Sequence, residues 1–290
     1  MMTNEPIPFL SGLSAIAGRY RGILCDVWGV VHNGVRAFEP ACEALVKYRA
    51  EGGTVVLLTN APRPSGPIYG QLDGLGVPRD AYDGIVTSGD ATRALLLEKG
   101  LLRIHHIGPD RDLTLYEDSP MTLVGAEEAD VVVCTGLVDD ETESPEDYRE
   151  RLDALVKRGL RFVCANPDIV VERGNTLVWC AGALAREYAD LGGEVVILGK
   201  PHAPIYANAF ARISELAGTA LDKSDILAIG DGLKTDVAGA VGQGLDTLFI
   251  SAGIHAADFG DADNPDQDKV RTRLADEGLA VAAIIPKLAW

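Results

Sequence analysis

Short apolar runs recur along the chain, each followed by a stretch of helical periodicity. Ile23-Leu24-Cys25, Thr54 to Leu58, Gly84 to Thr87, Ile104 to Ile107, Val131 to Cys134 and Phe162 to Ala165 are strand-like. Glu194 to Leu198, Asp225 to Ile229 and Thr247 to Ile250 continue the series. Their continuous apolar character fits strands buried on both faces, as in parallel sheets. Between them lie helix signals. Glu39-Pro40 opens a pattern through Ala44, Leu45 and Tyr48 that Gly52-Gly53 stops. Ser88 is placed to cap a helix to Lys99, and Ser144-Pro145-Glu146-Asp147 to cap one to Lys157. Residues 181–191 and the run Ile205, Ala209, Ile213, Leu216 predict two more. Strands alternating with helices imply a doubly wound parallel α/β sheet. The strand-and-helix series starts afresh after residue 87, so residues 88–194 read as an inserted α/β unit of domain size. Residues 1–87 and 195–290 then build one Rossmann-like core. Trp179 is read as part of the inserted unit's core, and the acidic stretch Asp258 to Asp268 as a solvated loop.

Composition narrows the function classes. With 47% hydrophobic and 24% charged residues the chain is an ordinary globular one. A net charge of −17 argues against nucleic acid or an anionic membrane as partner. An anionic small molecule remains acceptable, because screening over about 8 Å lets a local cation dominate a pocket. The 5 cysteines are scattered without a Cys-x-x-Cys pair, which suits buried thiols in a reducing compartment. No basic residue precedes Arg19 and no apolar run is long enough for a span, so the expectation is a cytoplasmic protein.

Candidate chemistry sits at predicted strand ends: Asp26, Thr59-Asn60, Lys200, and Asp231 with Asp236. Ligands of open parallel sheets collect outside the carboxyl ends of strands. A carboxylate at Asp26 can attack phosphorus, forming an aspartyl-phosphate and splitting one hard step into two. The Thr59 hydroxyl can hold phosphoryl oxygens, and Lys200 can neutralise them. Asp231 beside Asp26 calls for a cation between the two, and Mg²⁺, bound by few carboxylates and several waters, fits. Taken singly, each has a plainer reading: a helix-capping Asp26, a Thr-Asn turn, a surface lysine, a Gly-Asp-Gly turn. Their joint order is what favours chemistry. His105 and His106, adjacent on a strand, face opposite sides and cannot share a metal, and Gly239 to Gly244 has the wrong spacing for a dinucleotide fingerprint.

The sequence resembles the haloacid dehalogenase superfamily, class IIA, the NagD-like and 4-nitrophenylphosphatase-like group. The resemblance rests on Asp26-Val27-Trp28-Gly29-Val30, Leu58-Thr59-Asn60, Gly199-Lys200-Pro201 and the run Gly230 to Asp236. It also rests on Thr87 to Thr92, Ala165-Asn166-Pro167-Asp168 and Ala181 to Leu184. It covers nearly the whole chain. It implies a Mg²⁺-dependent phosphohydrolase of a small phosphorylated metabolite, such as a sugar or nucleotide phosphate. Asp26 would be the nucleophile and Lys200 the charge stabiliser, with Thr59 and Asn60 holding phosphate. The metal would be held by Asp26, the Trp28 carbonyl and Asp231, with Asp236 in support. The inserted unit would be a substrate-selecting cap, with Asp168 near its working end.

One position departs from the group. Phosphatases of this superfamily usually carry a second Asp two residues after the nucleophile, to protonate the leaving group; here it is Trp28. An indole N–H has no useful acidity, and general acid catalysis is worth typically about 10²–10⁴-fold. His32 and Asp90 are the candidate substitutes. The competing function is therefore a catalytically weak phospho-ligand binder or regulator on the same fold. A phospho-acceptor receiver is a third reading, against which the large insertion argues. A homodimer is compatible with all three, and substrate identity lies beyond the sequence.

Overall fold

The computed structural model describes residues 7–174 and 176–290. In chain order its strands are β1 (Gly22–Cys25), β2 (Thr54–Thr59), β3 (Gly84–Thr87), β4 (Arg103–Ile107), β5 (Thr122–Leu123), β6 (Val131–Cys134), β7 (Phe162–Cys164), β8 (Val170–Arg173), β9 (Thr176–Trp179), β10 (Val195–Ile197), β11 (Ile226–Gly230), β12 (Asp246–Ile250) and β13 (Ala283–Ile285). Residues 1–6, at the head of the stretch inspected for a leader, lie outside the described residues. Among the described residues no helix is long and apolar enough to cross a membrane.

The chain divides into two compact units: Met1–Leu58, Leu72–Ile85 and Tyr206–Trp290 form one, and Thr59–Gln71 with Val86–Ile205 the other. The first is organised on a six-stranded sheet, β13-β12-β11-β1-β2-β3. Every residue of β1, β2 and β11 is buried, as a parallel sheet covered on both faces requires. From β1 the chain builds outward through β2 and β3, then returns to the other side of β1 for β11, β12 and β13. The boundary between β1 and β11 is therefore the topological switch point, where a crevice opens beyond the strand ends. Behind it Leu233, Val237, Phe249, Phe259, Val270, Leu274 and Ile284 pack as one apolar cluster.

The second unit has its own parallel sheet, β10-β7-β6-β4-β5. Alternation along β6 sends Val132 and Cys134 into a cluster with Phe162, Leu184 and Tyr188, and Val131 and Val133 into another with Leu96, Ile104 and Leu115. Helices thus cover both faces. The Phe162 and Tyr188 rings stack with centroids 4.8 Å apart.

This sheet corrects the expected start of the third core segment. Val195–Ile197 does not join the first sheet; it runs parallel beside β7, with Val196 opposite Val163. An apolar run of three residues carries no mark of which sheet it will enter, and here it forms the edge strand beside β7. Three smaller differences have local causes. Thr87, not Ser88, caps the helix Ser88–Lys99, its Oγ1 accepting from Asp90 N–H. The acidic stretch contains structure: a short helix, Ala256–Phe259, and the start of Gln267–Asp276, whose first turn Asp266 caps. Trp179 is not core. It lies in an antiparallel hairpin with β8, and only one face of that hairpin is backed, so Val178 is buried while Trp179 and Leu177 are exposed.

Candidate active site

β1 and β11 are neighbours in parallel register, with Cys25 opposite Ile229. Each ends one residue before an aspartate, so Asp26 and Asp231 emerge side by side at the switch point. Asp26 continues the pairing, donating its N–H to the Ile229 carbonyl at 2.8 Å. Asp236 reaches the same place from the turn Leu233–Val237. Carboxylate oxygens of Asp26, Asp231 and Asp236 lie within 4.8 Å of one another, and all three residues are at least nine-tenths buried.

Glycines make this crowding possible. Gly29 has φ +84°, and a Cβ there would sit 2.3 Å from Asp231 Oδ2; one on Gly253 would sit 2.0 Å from the same oxygen. A Cβ at Gly230 would meet Asp236 Cβ at 2.3 Å. Backbone donors then set the carboxylates: Ile254 N–H to Asp231 Oδ2 at 2.7 Å, and Gly232 N–H to Asp236 Oδ2 at 3.0 Å. Gly253 and Ile254 were missed in the sequence, where nothing beyond a lone glycine after β12 marks them. Buried like charges so close need a counter-charge, and an all-oxygen donor set suits a hard divalent cation such as Mg²⁺.

The loop after Asp26 is a closed turn. Gly29 N–H donates to the His32 carbonyl at 2.8 Å, and Val31 N–H to that of Val27 at 2.8 Å. The Trp28 indole lies over Gly34, where a Cβ would be 2.4 Å from its ring, and meets His32 edge-on at 5.1 Å between centroids. Both candidate replacement acids are engaged elsewhere. Burial pushes the His32 imidazole down to about 4, so the ring is neutral at pH 7. Its Nδ1 accepts from Gly34 N–H at 3.0 Å, which leaves the proton on Nε2. The Asp90 carboxylate accepts from Ser65 N–H at 3.1 and 3.2 Å, capping the helix Ser65–Leu75.

In the second unit the remaining candidates form a connected string. Asn60 Nδ2 donates to Asp168 Oδ1 at 2.8 Å, and Asn60 Oδ1 accepts from Lys200 N–H at 2.8 Å. Gly199 permits this approach, since a Cβ there would lie 2.5 Å from Asn60 Oδ1 and 2.6 Å from the Pro167 ring. Gly182 does the same for the Pro167 and Asp168 carbonyls. Lys200 is 2% exposed and follows β10, so the third motif is delivered by the second sheet rather than by the first, as the sequence had suggested. Thr59 closes β2, and its Oγ1 accepts from Ala61 N–H at 3.2 Å. His105 and His106 point to separate partners, Val124 and Tyr116.

Residues 23–121 match the family model of haloacid dehalogenase-like hydrolases, and residues 197–276 a second, HAD-hydrolase-like model. A hydrolase of the haloacid dehalogenase-like family from Brucella suis 1330 has a solved structure that is 51% identical. It superposes with a TM-score of 0.87 over 97% of this chain and 100% of its own. The 5'-nucleotidase YutF of Bacillus subtilis is 27% identical, over 81% of this chain and 88% of its own length. The ribonucleotide monophosphatase NagD of Escherichia coli K12 is 24% identical over 82% and 90%. With seven motif segments in order, two matching models and a relative of this identity along its full length, the chain belongs to the haloacid dehalogenase-like hydrolases, in their NagD-like class IIA group.

Proposed function

We propose that the protein is a Mg²⁺-dependent phosphohydrolase of small phosphorylated metabolites; relatives named as nucleotide and sugar phosphatases support the phosphohydrolase part of this reading. The observation that carries this reading is the buried trio Asp26, Asp231 and Asp236, gathered at the switch point of a parallel sheet. In this reading Asp26 attacks phosphorus, the ester oxygen departs, and water then hydrolyses the aspartyl-phosphate. Lys200 neutralises charge on the phosphoryl group, while Thr59 and Asn60 hold its oxygens. Asp168 orients the Asn60 amide through the 2.8 Å hydrogen bond. Asp26, the Trp28 carbonyl and Asp231 would hold the metal, with Asp236 fixed beside them; bound there, Mg²⁺ supplies charge neutralisation of the transferring group. The inserted unit selects the substrate.

Asp26→Asn removes the nucleophile and one metal charge together. Turnover of 4-nitrophenyl phosphate with Mg²⁺ is expected to fall at least about 10³-fold in a variant whose circular dichroism is unchanged. Chelator abolishes wild-type turnover and added Mg²⁺ restores it. A folded Asp26→Asn protein that keeps more than a few per cent of activity would remove Asp26 from the mechanism.

One observation favours a second reading, a binder of phosphorylated ligands with little turnover. Trp28 occupies the usual general-acid position, and both candidate replacements are tied into structure. Tight binding of phosphonate analogues, with negligible hydrolysis of every ester in a metabolite panel, would establish it.

A further inference from the structure

The segment that follows β12 braces two of the three acids from one short stretch. Ile254 N–H donates to Asp231 Oδ2 at 2.7 Å, and the next residue, His255, turns its Nε2 to the Leu233 N–H at 3.4 Å. Leu233 opens the turn Leu233–Val237 that carries Asp236, and the first N–H groups of a helical turn have no acceptor inside it. An N-cap side chain ordinarily fills that need. Here the cap residue is Gly232, and glycine is required there: a Cβ would sit 2.2 Å from Thr235 Oγ1 and 2.9 Å from Asp236 Oδ2. The acceptor comes instead from 22 residues further along the chain. The imidazole is itself held. With Nε2 accepting, its proton lies on Nδ1, which faces Asp258 Oδ2 at 3.5 Å. Arg273 donates to that same oxygen at 3.3 Å and to Glu277 at 3.2 Å. Burial first, with the Arg273 charge next, holds the His255 pKa below its ordinary value, so Nε2 keeps its lone pair at neutral pH.

We propose that His255 is a positioning residue for the metal site: its Nε2 caps the turn that carries Asp236 and so keeps Asp236 beside Asp231. The assignment deepens the Mg²⁺ reading of the acid trio and rests on it. His255 acts through the backbone, not as a ligand, and the route is short. Gly232 N–H donates to Asp236 Oδ2 at 3.0 Å, and the Gly232 carbonyl accepts from the Asp236 and Val237 N–H groups at 2.9 and 3.0 Å. The carboxylate is therefore tied to the same peptide that joins Gly232 to Leu233, and a shift at Leu233 N–H moves both. Mg²⁺ demands near-ideal octahedral geometry, so a small displacement of one oxygen costs affinity. The competing account is packing alone, since the Leu233 side chain is fully buried against Phe249 and Phe259. Packing would hold the turn whether or not residue 255 offered an acceptor, and that difference can be measured.

The test is titration calorimetry of the metal-free protein with MgCl₂ alone, at matched ionic strength. His255→Phe keeps a ring and loses the acceptor, and its dissociation constant for Mg²⁺ is expected to rise about tenfold. His255→Ala, which cannot overpack, repeats that arm and should weaken binding in the same direction. His255→Gln, whose Oε1 can take the place of Nε2, should stay within about threefold of wild type. Amide exchange at residues 233–237, followed in chelator, should quicken in His255→Phe and His255→Ala but not in His255→Gln, a readout that needs no metal. Affinity and exchange unchanged in the two variants without an acceptor overturn the assignment. Equal weakening in His255→Gln overturns it too, because the acceptor is then not what matters. A wild-type protein that takes up no Mg²⁺ overturns the metal reading, and this assignment falls with it.

Discussion

Two residues beyond Asp26, at the sequence position where phosphatases of this superfamily usually carry an aspartate, the Trp28 ring packs over Gly34 and against His32. The neighbouring imidazole is neutral at pH 7 and already accepts a backbone N–H, so it has no proton to give from a charged state. The rate should therefore depend strongly on how well the leaving group bears negative charge. A plot of log(kcat/KM) against leaving-group pKa at fixed Mg²⁺ is expected to slope steeply downward. Alkyl esters should fall about 10²–10⁴-fold below the values an acid-assisted enzyme gives. A flat plot would mean that some other residue supplies the proton. A second histidine makes a prediction about stability. Burial lowers the His106 imidazole to about 4 from its ordinary 6.5, with Nδ1 held by the Tyr116 hydroxyl at 2.7 Å. Its folded pKa lies below the unfolded one, so the unfolded chain binds more protons between those values. The contribution is full above pH 6.5 and is lost as pH falls toward 4, amounting to about 3 kcal/mol. Urea midpoints of wild type and His106→Gln compared from pH 7 to 4.5 should converge as the pH drops; parallel curves would contradict the assignment.

At the level of elements, the hairpin β8–β9 depends on Asp140, whose side chain is 8% exposed between the guanidiniums of Arg111 and Arg173. Asp140→Asn keeps the shape and removes the charge that two arginines share. Hydrogen exchange across residues 170–173 and 176–179 is then expected to quicken by roughly tenfold, with β6 and β7 unchanged. Uniform quickening across the unit would indicate general destabilisation instead. The same hairpin marks the limit of what could be read in advance. Buried strands such as β1, β2 and β11 are legible because burial on both faces demands unbroken apolar runs bounded by glycine and turn residues. Asp26 and Asp231, at the ends of β1 and β11, could be placed for the same reason. Val170-Val171 and Leu177-Val178-Trp179 look equally apolar, yet four of these five side chains face outward or are only half covered. Apolar content alone does not distinguish a core strand from one with an open face. Nor did the sequence say which sheet Val195–Ile197 would join, since pairing partners are chosen by edges formed far away in the chain. The glycine ring around Asp231 was half legible: Gly29 lies inside a motif, whereas Gly253 becomes meaningful only once β12 lies two strands from β1.

On the scale of the whole molecule, the chain carries a net charge of −17, and carboxylate oxygens of Asp26, Asp231 and Asp236 are buried within 4.8 Å of one another. Without a metal, these like charges raise the free energy of the first unit; with one, they become its strongest ligand set. The two conditions predict opposite signs for the same substitution. In chelator, Asp231→Asn relieves repulsion, and its thermal midpoint is expected to equal or exceed that of wild type. In millimolar Mg²⁺ the order should reverse, because wild type gains RT ln(1 + [Mg²⁺]/Kd), about 2.7 kcal/mol at a hundredfold excess over Kd, and the variant gains far less. Ionic strength must be matched with NaCl, since screening alone stabilises so acidic a chain. Differential scanning calorimetry of both proteins, in both conditions, gives four midpoints. A crossing of the two lines supports a divalent cation held at Asp26 and Asp231, beside Asp236. Parallel lines would mean that Mg²⁺ acts only as a general screen, and that the buried trio holds its charge by some other means.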